Sequence, residues 1–510
     1  MYNESTGIAT LDPAFAKNQS IMWAVHQLYT TLVEIDTGLQ IKPSFAKSWE
    51  ISNDRLTYTF HLRNDVFFHD NIAFKNGKGR RVIADDVVYS LLRIIDKSVA
   101  SSGAWIFNNR VDSIQPFLAV NDSTLIVKLQ RPFQPILGIL STQYCSIVPK
   151  EVVEKYGKDF RRNPCGSGPF KFVSWDEGQA LILHKNEHYW EKDSLGKQLP
   201  YLDAVKVSFY DNKGTEFLQF RQQKLSFIND IDASFKDEIL TKKGVLRSTW
   251  SNKIHLQKHA YLNTEYLGIL VDEQNEKVMA SPIKLKAIRQ AINYAINRPQ
   301  LMMYMRNSIG IAAEAGFVPS GLPSRNTSLV KGYSYNPTKA KELLKSVGYG
   351  NGKNTATIKL LTIATYADIA SFIAKQCEDV GIQVQVETIQ KSLLLEQTAK
   401  SEALFFRGSW IADYPDAENY MAMFYSKNPA PPNYTRYQNK AFDVLYEKAL
   451  LETNDSLRYK LYVQMDQMVI DDAPIVPIWY DEVIHLVQKN ITGFYANGLN
   501  LLELRTVKIN

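Results

Sequence analysis

Two pairs of histidines have a spacing that could bind a metal ion. His184 and His188 are four residues apart, and so are His255 and His259. On a helix, this spacing would place both imidazoles of a pair on one face, as in zinc enzymes. Both pairs, however, lie in or beside alternating, strand-like sequence, and neither has a glutamate in the zincin register, directly after the first histidine. The sequence therefore predicts no metal site and no cofactor.

Two serines have neighbours that resemble catalytic motifs. Ser44 and Lys47 match the Ser-x-x-Lys pattern of penicillin-recognising enzymes, but the chain has no Lys-Thr-Gly partner. Ser167 lies between Gly166 and Gly168, which is not the Gly-x-Ser-x-Gly of a nucleophile elbow and instead favours a tight turn. A serine hydrolase stays open as an alternative. Because no base or metal accompanies either serine, the sequence favours a binding protein over an enzyme.

Phosphate and nucleic-acid binding have little support. The chain has no P-loop, and 59 Lys and Arg against 53 Asp and Glu give a net charge of only +6. The densest basic run contains Lys75, Lys78, Arg80 and Arg81, and it is typical of a solvated loop. Polyanion binding needs many phosphate contacts in one stripe, so we expect no nucleic-acid partner.

The composition is that of a globular protein rich in tyrosine. The 510 residues are 45% hydrophobic and 22% charged, which excludes disordered and coiled-coil classes. The aromatic residues are 27 Tyr, 24 Phe and 8 Trp. A tyrosine joins an apolar ring to a polar tip, which suits wet binding clefts and also β-rich cores.

Three cysteines are too few for a disulfide framework. Cys377 lies in a helical pattern and is expected to be a buried thiol, whereas Cys145 and Cys165 could pair in an oxidising compartment.

The first residues lack the charged start and apolar segment of a signal peptide, and no window of 18 residues is apolar. The sequence therefore leaves open a cytoplasmic protein or a mature, exported chain.

The hydrophobic periodicity predicts a mixed α/β protein. Strands are predicted over residues 57–63, 122–129, 180–184, 205–210 and 382–386. Helices are predicted over residues 85–93, 283–297, 337–344, 366–380 and 457–470. The order of these elements fits neither a barrel nor a single doubly wound sheet.

Motifs spread over nearly the whole chain resemble the extracytoplasmic solute-binding proteins of family 5, the oligopeptide- and dipeptide-binding proteins of ABC importers. The matching segments are 28–33 (LYTTLV), 43–52 (PSFAKSWEIS), 56–70, 84–90 (ADDVVYS), 147–150 (IVPK), 166–170 (GSGPF), 186–190 (NEHYW), 289–298 (RQAINYAINR) and 410–416 (WIADYPD). Both the motifs and their order match.

The resemblance implies a periplasmic-binding-protein-like α/β fold, with two lobes around a cleft and an extra inserted α/β domain. By position, lobe I would comprise residues 1–38, 165–259 and 482–510, the inserted domain residues 39–164, and lobe II residues 260–481. The two crossovers near 259 and 481 would form a hinge.

The resemblance also implies a set of ligand-binding residues. Asp413, in the Trp-x-x-Asp motif, would hold the ammonium group of a peptide, and the alternative is that Asp413 caps a helix over residues 417–424. Trp410 would lie along the ligand backbone, or else in the core. Arg407 would meet the ligand carboxylate, or else form an ion pair within the lobe. Tyr414, in the same motif, completes the set.

The implied function is that of a peptide receptor that delivers its ligand to an ABC permease and its ATPase. The protein would be extracytoplasmic and monomeric, with membrane contact only through a removed lipid anchor or the permease. Since the same scaffold serves other solutes, a metal chelate or an oligosaccharide stays open as the ligand.

Overall fold

A computed structural model describes residues 1–349 and 356–510 of the chain. In this part of the chain the strands, in order, are β1 Tyr2–Asn3, β2 Val33–Ile35, β3 Ile41–Pro43, β4 Ala46–Ile51, β5 Thr57–Leu62, β6 Phe117–Asn121, β7 Thr124–Lys128, β8 Phe170–Asp176, β9 Ala180–Lys185, β10 Ala204–Ser208, β11 Phe227–Asn229, β12 Ile254–Ile269, β13 Ile311–Ala312, β14 Ala356–Thr362, β15 Ile382–Thr388, β16 Phe405–Ile411, β17 Ile475–Gln488, β18 Ile491–Thr492, β19 Tyr495–Ala496, β20 Leu502–Glu503 and β21 Lys508–Ile509.

Helices are interspersed with these strands along the described part of the chain. They are α1 Gln19–Leu28, α2 Ala84–Ile95, α3 Ile136–Leu140, α4 Lys150–Tyr156, α5 Lys213–Arg221, α6 Ala233–Ile239, α7 Ser248–Ser251, α8 Glu276–Ala280, α9 Lys286–Ala295, α10 Arg298–Arg306, α11 Pro337–Ser346, α12 Ala367–Val380, α13 Lys391–Ala399, α14 Glu418–Met421, α15 Lys440–Leu451 and α16 Asp455–Asp472. Among the described helices, none is both long enough and apolar enough to cross a lipid bilayer.

The chain divides into two compact units. Unit 1 contains Met1–Ile239, Leu246–His259 and Val483–Asn510, and unit 2 contains Leu240–Val245 and Ala260–Glu482. The boundaries after His259 and Glu482 fall inside the long strands β12 and β17. The predicted inserted domain, residues 39–164, belongs to unit 1, and its independence, like the hinge, stays a prediction.

Unit 1 contains two four-stranded sheets, ordered β1-β10-β9-β8 and β4-β5-β7-β6. The second sheet is antiparallel and lies within residues 39–164. Gly166 and Gly168 precede β8 and lie against the backbone of Leu28, where an added Cβ would come within 2.1 and 2.5 Å of its atoms. Close approach of two backbone segments, as well as the turn, therefore requires these glycines.

A seven-stranded sheet has the order β11-β17-β12-β16-β14-β15, with β13 paired to β17. Within unit 2 it carries helices whose apolar faces form the core. The pairing of β12 with β16 is antiparallel, and β14 is parallel to both β15 and β16. Helix α9 buries Ile288, Ala291, Ile292 and Ala295 at helical spacing. This periodicity explains why the segment folds as an amphipathic helix against the sheet.

The predicted strands and helices are confirmed, with ends that differ by a few residues. The helix start predicted at residue 337 has its cap in place, since Asn336 Oδ1 accepts a hydrogen bond from Lys339 N at 2.9 Å.

The disulfide considered for Cys145 and Cys165 is not formed in the structure. Both residues, like Cys377, are free, buried cysteines. Burial raises the pKa of each of the three thiols to about 12.

Candidate functional site

The antiparallel pairing of β12 with β16 positions the predicted site residues in unit 2. Glu265 lies opposite Ser409, and Tyr266 lies opposite Gly408. A Cβ at position 408 would lie 2.4 Å from the Tyr266 ring, so this ring packs directly on the strand backbone. Glycine is therefore required at residue 408 for the two strands to keep this register.

Arg407 forms an ion pair with Glu265 inside unit 2. Its Nη2 donates to both carboxylate oxygens of Glu265, at 2.6 and 2.8 Å, and its guanidinium lies 3.9 Å from the centre of the Tyr366 ring. The side chain of Glu265 is only 4% exposed. The ion pair, one of the two interpretations given for Arg407, is thus present within unit 2, and contact with a ligand carboxylate stays a prediction.

Further polar groups extend this pair across the same face of the sheet. Asn263 Nδ2 donates to Glu265 Oε1 and to Asp481 Oδ2, both at 3.3 Å, and Ser409 Oγ donates to Asn263 Oδ1 at 3.0 Å. Arg306 Nη2 in turn contacts Asp481 Oδ1 at 2.7 Å. The connected network thus has an arginine at each end and two carboxylates between them, joined by the Asn263 amide.

Tyr366 covers one side of this network. Burial, reinforced by the Glu265 carboxylate, raises the pKa of Tyr366 to about 12. The phenol therefore stays protonated at neutral pH and can donate to Glu265 Oε1, which lies 3.5 Å away. The ring also stacks on Trp479, with the centroids 6.3 Å apart and the planes 9° apart.

A cavity of about 430 Å³ opens beside β16 in unit 2, lined by side chains from both faces of the strand. Its size is within the range of small-molecule sites, roughly 300–1,000 Å³. Charged and polar groups share its wall with apolar and aromatic side chains. The lining residues are Asn263, Glu265, Tyr266, Ile363, Tyr366, Lys391, Leu394, Leu395, Thr398, Phe406, Arg407, Gly408, Ser409, Trp410, Ile411, Tyr434 and Asp481.

Trp410 and Asp413 lie at the end of β16 and share one hydrogen-bonding partner. Trp410 Nε1 donates to Asn419 Oδ1 at 2.9 Å, and Asn419 Nδ2 donates to Asp413 Oδ2 at 3.2 Å. Asn419 is 4% exposed, whereas Asp413 is exposed and Trp410 is half-buried. A buried amide therefore fixes an aromatic ring and a solvent-facing carboxylate next to each other.

The helix that Asp413 was alternatively expected to cap begins at Glu418. The backbone amide of Glu418 donates to Asp416 Oδ1 at 2.9 Å, so Asp416 provides this capping contact. Asp416 also contacts Arg458 at 3.0 Å, and burial raises the pKa of its carboxyl group.

Tyr414 is only 1% exposed, and its hydroxyl donates a hydrogen bond to Glu418 Oε2. The other oxygen of the Glu418 carboxylate accepts from the hydroxyl of Tyr446. The structure thus places Tyr414 in the packing beneath the motif, whereas Arg407 and Trp410 line the cavity.

No motif in the sequence marks Glu265, Asn263 or Asp481 as candidate site residues. Each lies in or at a strand whose apolar pattern indicates a core element, and Glu265 is 142 residues from Arg407 in sequence. One signal was available, since a carboxylate inside a strand that is otherwise buried needs a cationic or hydrogen-bonding partner.

The residues considered for catalysis or metal binding lie elsewhere. His184 is in β9, His255 and His259 are in β12, and the described residues contain no group of three or more metal-ligating side chains. Ser167 is 1% exposed, and within residues 1–349 and 356–510 its Oγ has no hydrogen-bonding partner. This serine therefore lacks the adjacent base that activates a nucleophile.

The chain is similar to known binding proteins along its whole length. The family model for bacterial extracellular solute-binding proteins, family 5, middle, matches residues 40–432. The glutathione-binding protein GsiB of Shigella flexneri serotype 5b is 25% identical over 500 residues, which cover 96% of this chain and 90% of that protein. The dipeptide-binding protein of Escherichia coli strain K12 is 26% identical over 504 residues, covering 94% and 89%.

A solved structure gives the same result for the fold. The ABC transporter-associated periplasmic binding protein DppA from Helicobacter pylori, in complex with the peptide STSA, is 27% identical, with a TM-score of 0.78 and coverage of 100% of this chain and 97% of that chain. The periplasmic-binding-protein-like fold implied by the sequence motifs is thus confirmed. This chain belongs to the bacterial extracellular solute-binding proteins of family 5.

Proposed function

We propose that this protein, a substrate-binding protein of the ABC-importer class, captures peptides on the cavity face of unit 2. In this proposal, Asp413 binds the ammonium group of the ligand and the end of β16 pairs with the ligand backbone. Trp410 lies along that backbone. The relatives named above for glutathione and dipeptide binding, and the peptide complex, support a peptide-like ligand.

The observation that carries the proposal is the open edge of β16. Strand β14 pairs with β16 at Leu361 and Phe406 and ends at Thr362, whereas β16 continues to Ile411. In the described part of the chain, residues 408–411 thus pair with β12 alone, and all four line the cavity. An extended peptide can add to such an edge through its own backbone groups, whatever its side chains are.

The position of Asp413 suits the positive end of such a ligand. The carboxylate lies two residues beyond the end of β16, is exposed, and is fixed by Asn419. A ligand cation that leaves water needs a charged partner, because an uncompensated buried charge is costly. A preset carboxylate also loses little side-chain freedom when it binds.

Arg407 and Tyr414 have smaller parts than Asp413 in the proposed binding of the peptide. Because Glu265 already binds Nη2 of Arg407, a ligand carboxylate would have to compete with Glu265, and we place the main anchoring on Asp413. Tyr414 supports the motif by packing rather than by touching the ligand.

The remaining parts of the proposal concern the cellular setting. The family is extracytoplasmic. We propose that the protein works as a monomer that delivers peptides to a permease and its ATPase, and that a lipid anchor holds it at the membrane. It acts by binding and leaves the ligand chemically unchanged.

Calorimetry with di-, tri- and tetra-alanine tests the proposal. Asp413→Ala should weaken trialanine binding by about 10- to 100-fold, which corresponds to ~1.5–3 kcal/mol for a charged hydrogen bond. N-acetylation of trialanine should weaken binding to the wild type by a similar factor. The two changes together should cost little more than either alone, because both remove the same contact.

Glu402→Ala is the matched control, since it removes an exposed carboxylate that precedes β16, whereas Asp413 follows the end of that strand. This variant should bind trialanine like the wild type, and the melting temperature of both variants should be unchanged. Equal affinity of Asp413→Ala and the wild type for trialanine would show that the anchor is elsewhere. Cleavage of the peptide, followed by mass spectrometry, would defeat the binding-only proposal.

A further inference from the structure

Unit 1 contains a larger cavity, of about 1070 Å³, that the peptide site does not use. Its wall comes from residues 9–21, helix α2, residues 98–102, and the segment from Val153 to Arg161. Apolar side chains cover much of it, namely Phe15, Ile21, Leu92, Ile95, Val99 and Val153. Leu92 is 41% exposed, whereas Val87, Leu91 and Ile94 of the same amphipathic helix are buried.

The side chains that line this cavity include more cations than anions. Lys17 and Lys158 line it and are exposed, and neither has an ion-pair partner among the residues that the structure describes. Asp12 is engaged with Arg93 through two contacts of 2.5 and 2.7 Å. Asp96 accepts a hydrogen bond from Ser98 Oγ at 2.7 Å.

A buried hydroxyl adds a polar group to the wall. Ser102 Oγ is inaccessible to solvent and has no hydrogen-bonding partner within the described residues. Unpartnered buried polar atoms are rare in native proteins, because each costs about 1–3 kcal/mol. Because this oxygen is closed to solvent, it is not a ligand contact in the present shape of the cavity, and the exposed lysines must recognise the polar part of a ligand.

We propose that this cavity binds a free single-chain amphiphile with an anionic headgroup, of the kind represented by a medium-chain fatty acid. The chain lies against the apolar wall, and the carboxylate lies near Lys17 and Lys158. The match rests on charge complementarity, on the apolar wall, and on a volume at the upper end of the roughly 300–1,000 Å³ range of small-molecule sites, which leaves room for the whole chain. The inference is independent of the proposed peptide site.

Calorimetry with octanoate, decanoate and decyltrimethylammonium tests the proposal on the full chain. Decanoate should bind about tenfold more tightly than octanoate, because two more methylenes are buried. Decyltrimethylammonium has the same chain with a cationic headgroup and should bind at least tenfold more weakly than decanoate.

Variants connect the binding to this cavity. Val99→Trp places an indole against the apolar wall and should weaken decanoate binding at least tenfold, and Leu92→Asp, at a solvent-accessible position, should do the same by placing a carboxylate in the wall. Lys17→Glu combined with Lys158→Glu should weaken decanoate binding at least tenfold and leave decyltrimethylammonium binding unchanged or tighter. Lys75→Glu with Lys224→Glu makes the same change in net charge at exposed lysines of unit 1 that do not line the cavity, and it should change neither affinity by more than twofold.

Two results would overturn the proposal. One is decanoate binding that Leu92→Asp and Val99→Trp leave unaltered, and the other is equal affinity for the two headgroups. Asp413→Ala should bind decanoate like the wild type, so the outcome does not depend on whether the peptide site is correct.

Discussion

Each unit has an arginine–carboxylate pair in the wall of a cavity, and the two pairs differ in geometry. In unit 1, Arg93 uses Nη1 and Nη2 to contact the two oxygens of Asp12 as a parallel fork. In unit 2, Nη2 of Arg407 alone contacts both oxygens of Glu265, and Nε is buried without a hydrogen-bonding partner in the described chain. The first arginine is better satisfied than the second.

The difference indicates separate roles for the two pairs. A bidentate fork is the strongest arrangement of these groups, and Asp12 also caps a short helix by accepting from Ala14 N at 3.0 Å. The pair in unit 1 therefore fixes the wall of its cavity. The pair in unit 2 keeps donor capacity beside the proposed peptide site, where a ligand can compete for it.

The largest expected effect comes from breaking the fork. Asp12→Ala should lower the free energy of unfolding by about 3–5 kcal/mol, because it leaves the largely buried Arg93 guanidinium without its partner. Urea denaturation measures the change. The double variant Asp12→Leu with Arg93→Met should recover part of the loss, and a loss below about 1 kcal/mol for Asp12→Ala would contradict this role.

A third arginine extends the comparison to a site with an excess of acids. Arg505 contacts Glu34 at 2.9 Å, Glu191 at 2.7 Å and Glu503 at 3.0 Å. Burial alone would raise the pKa of Glu503, but the charge of Arg505 and the contact with His26 lower it to about 2. In the unfolded chain, the same carboxyl group titrates near 4.5.

This shift predicts how stability depends on pH. The ionised Glu503 should stabilise the fold by roughly 3 kcal/mol above pH 4.5, and this contribution should be lost as the pH falls towards 2. The difference in unfolding free energy between the wild type and Glu503→Gln should therefore be large at pH 7 and smaller at pH 3. A difference that is the same at both pH values would refute the shift.

The smallest effect is expected for the pair in unit 2. Arg407→Met should lower the free energy of unfolding by about 1.5–3 kcal/mol, because Glu265 keeps its contacts with Asn263 and Tyr366. Urea denaturation at the same pH as for Asp12→Ala gives the comparison. If Arg407→Met is as damaging as Asp12→Ala, the two pairs do not differ in role.

Much of the fold could be predicted because local patterns and long-range packing agree. The helix predicted over residues 366–380 is observed as Ala367–Val380, and Gly381, which follows it, has a φ of 102°. The adjacent strand, predicted over residues 382–386, begins at Ile382 as expected. A glycine that permits left-handed backbone ends the helix and fixes the start of the strand.

The site was predicted less completely, and the reason is physical. Trp410 and Asp413 could be proposed because one local motif resembles that of the family, whereas the partner of Arg407 depends on the pairing of β12 with β16. The burial of Tyr414 likewise depends on Glu418 and Tyr446, which come from α14 and α15. No periodicity within a single segment contains this information.

Strand β12 contains 16 consecutive residues, and its length has a consequence for how this protein can diversify. Inserting or deleting one residue before Asn263 would rotate the remaining strand by half a period, so that Asn263 and Glu265 would exchange faces with Thr264 and Tyr266. Homologues that acquire new ligands should therefore vary this strand by substitution while conserving its length, and accept insertions in the loops around it.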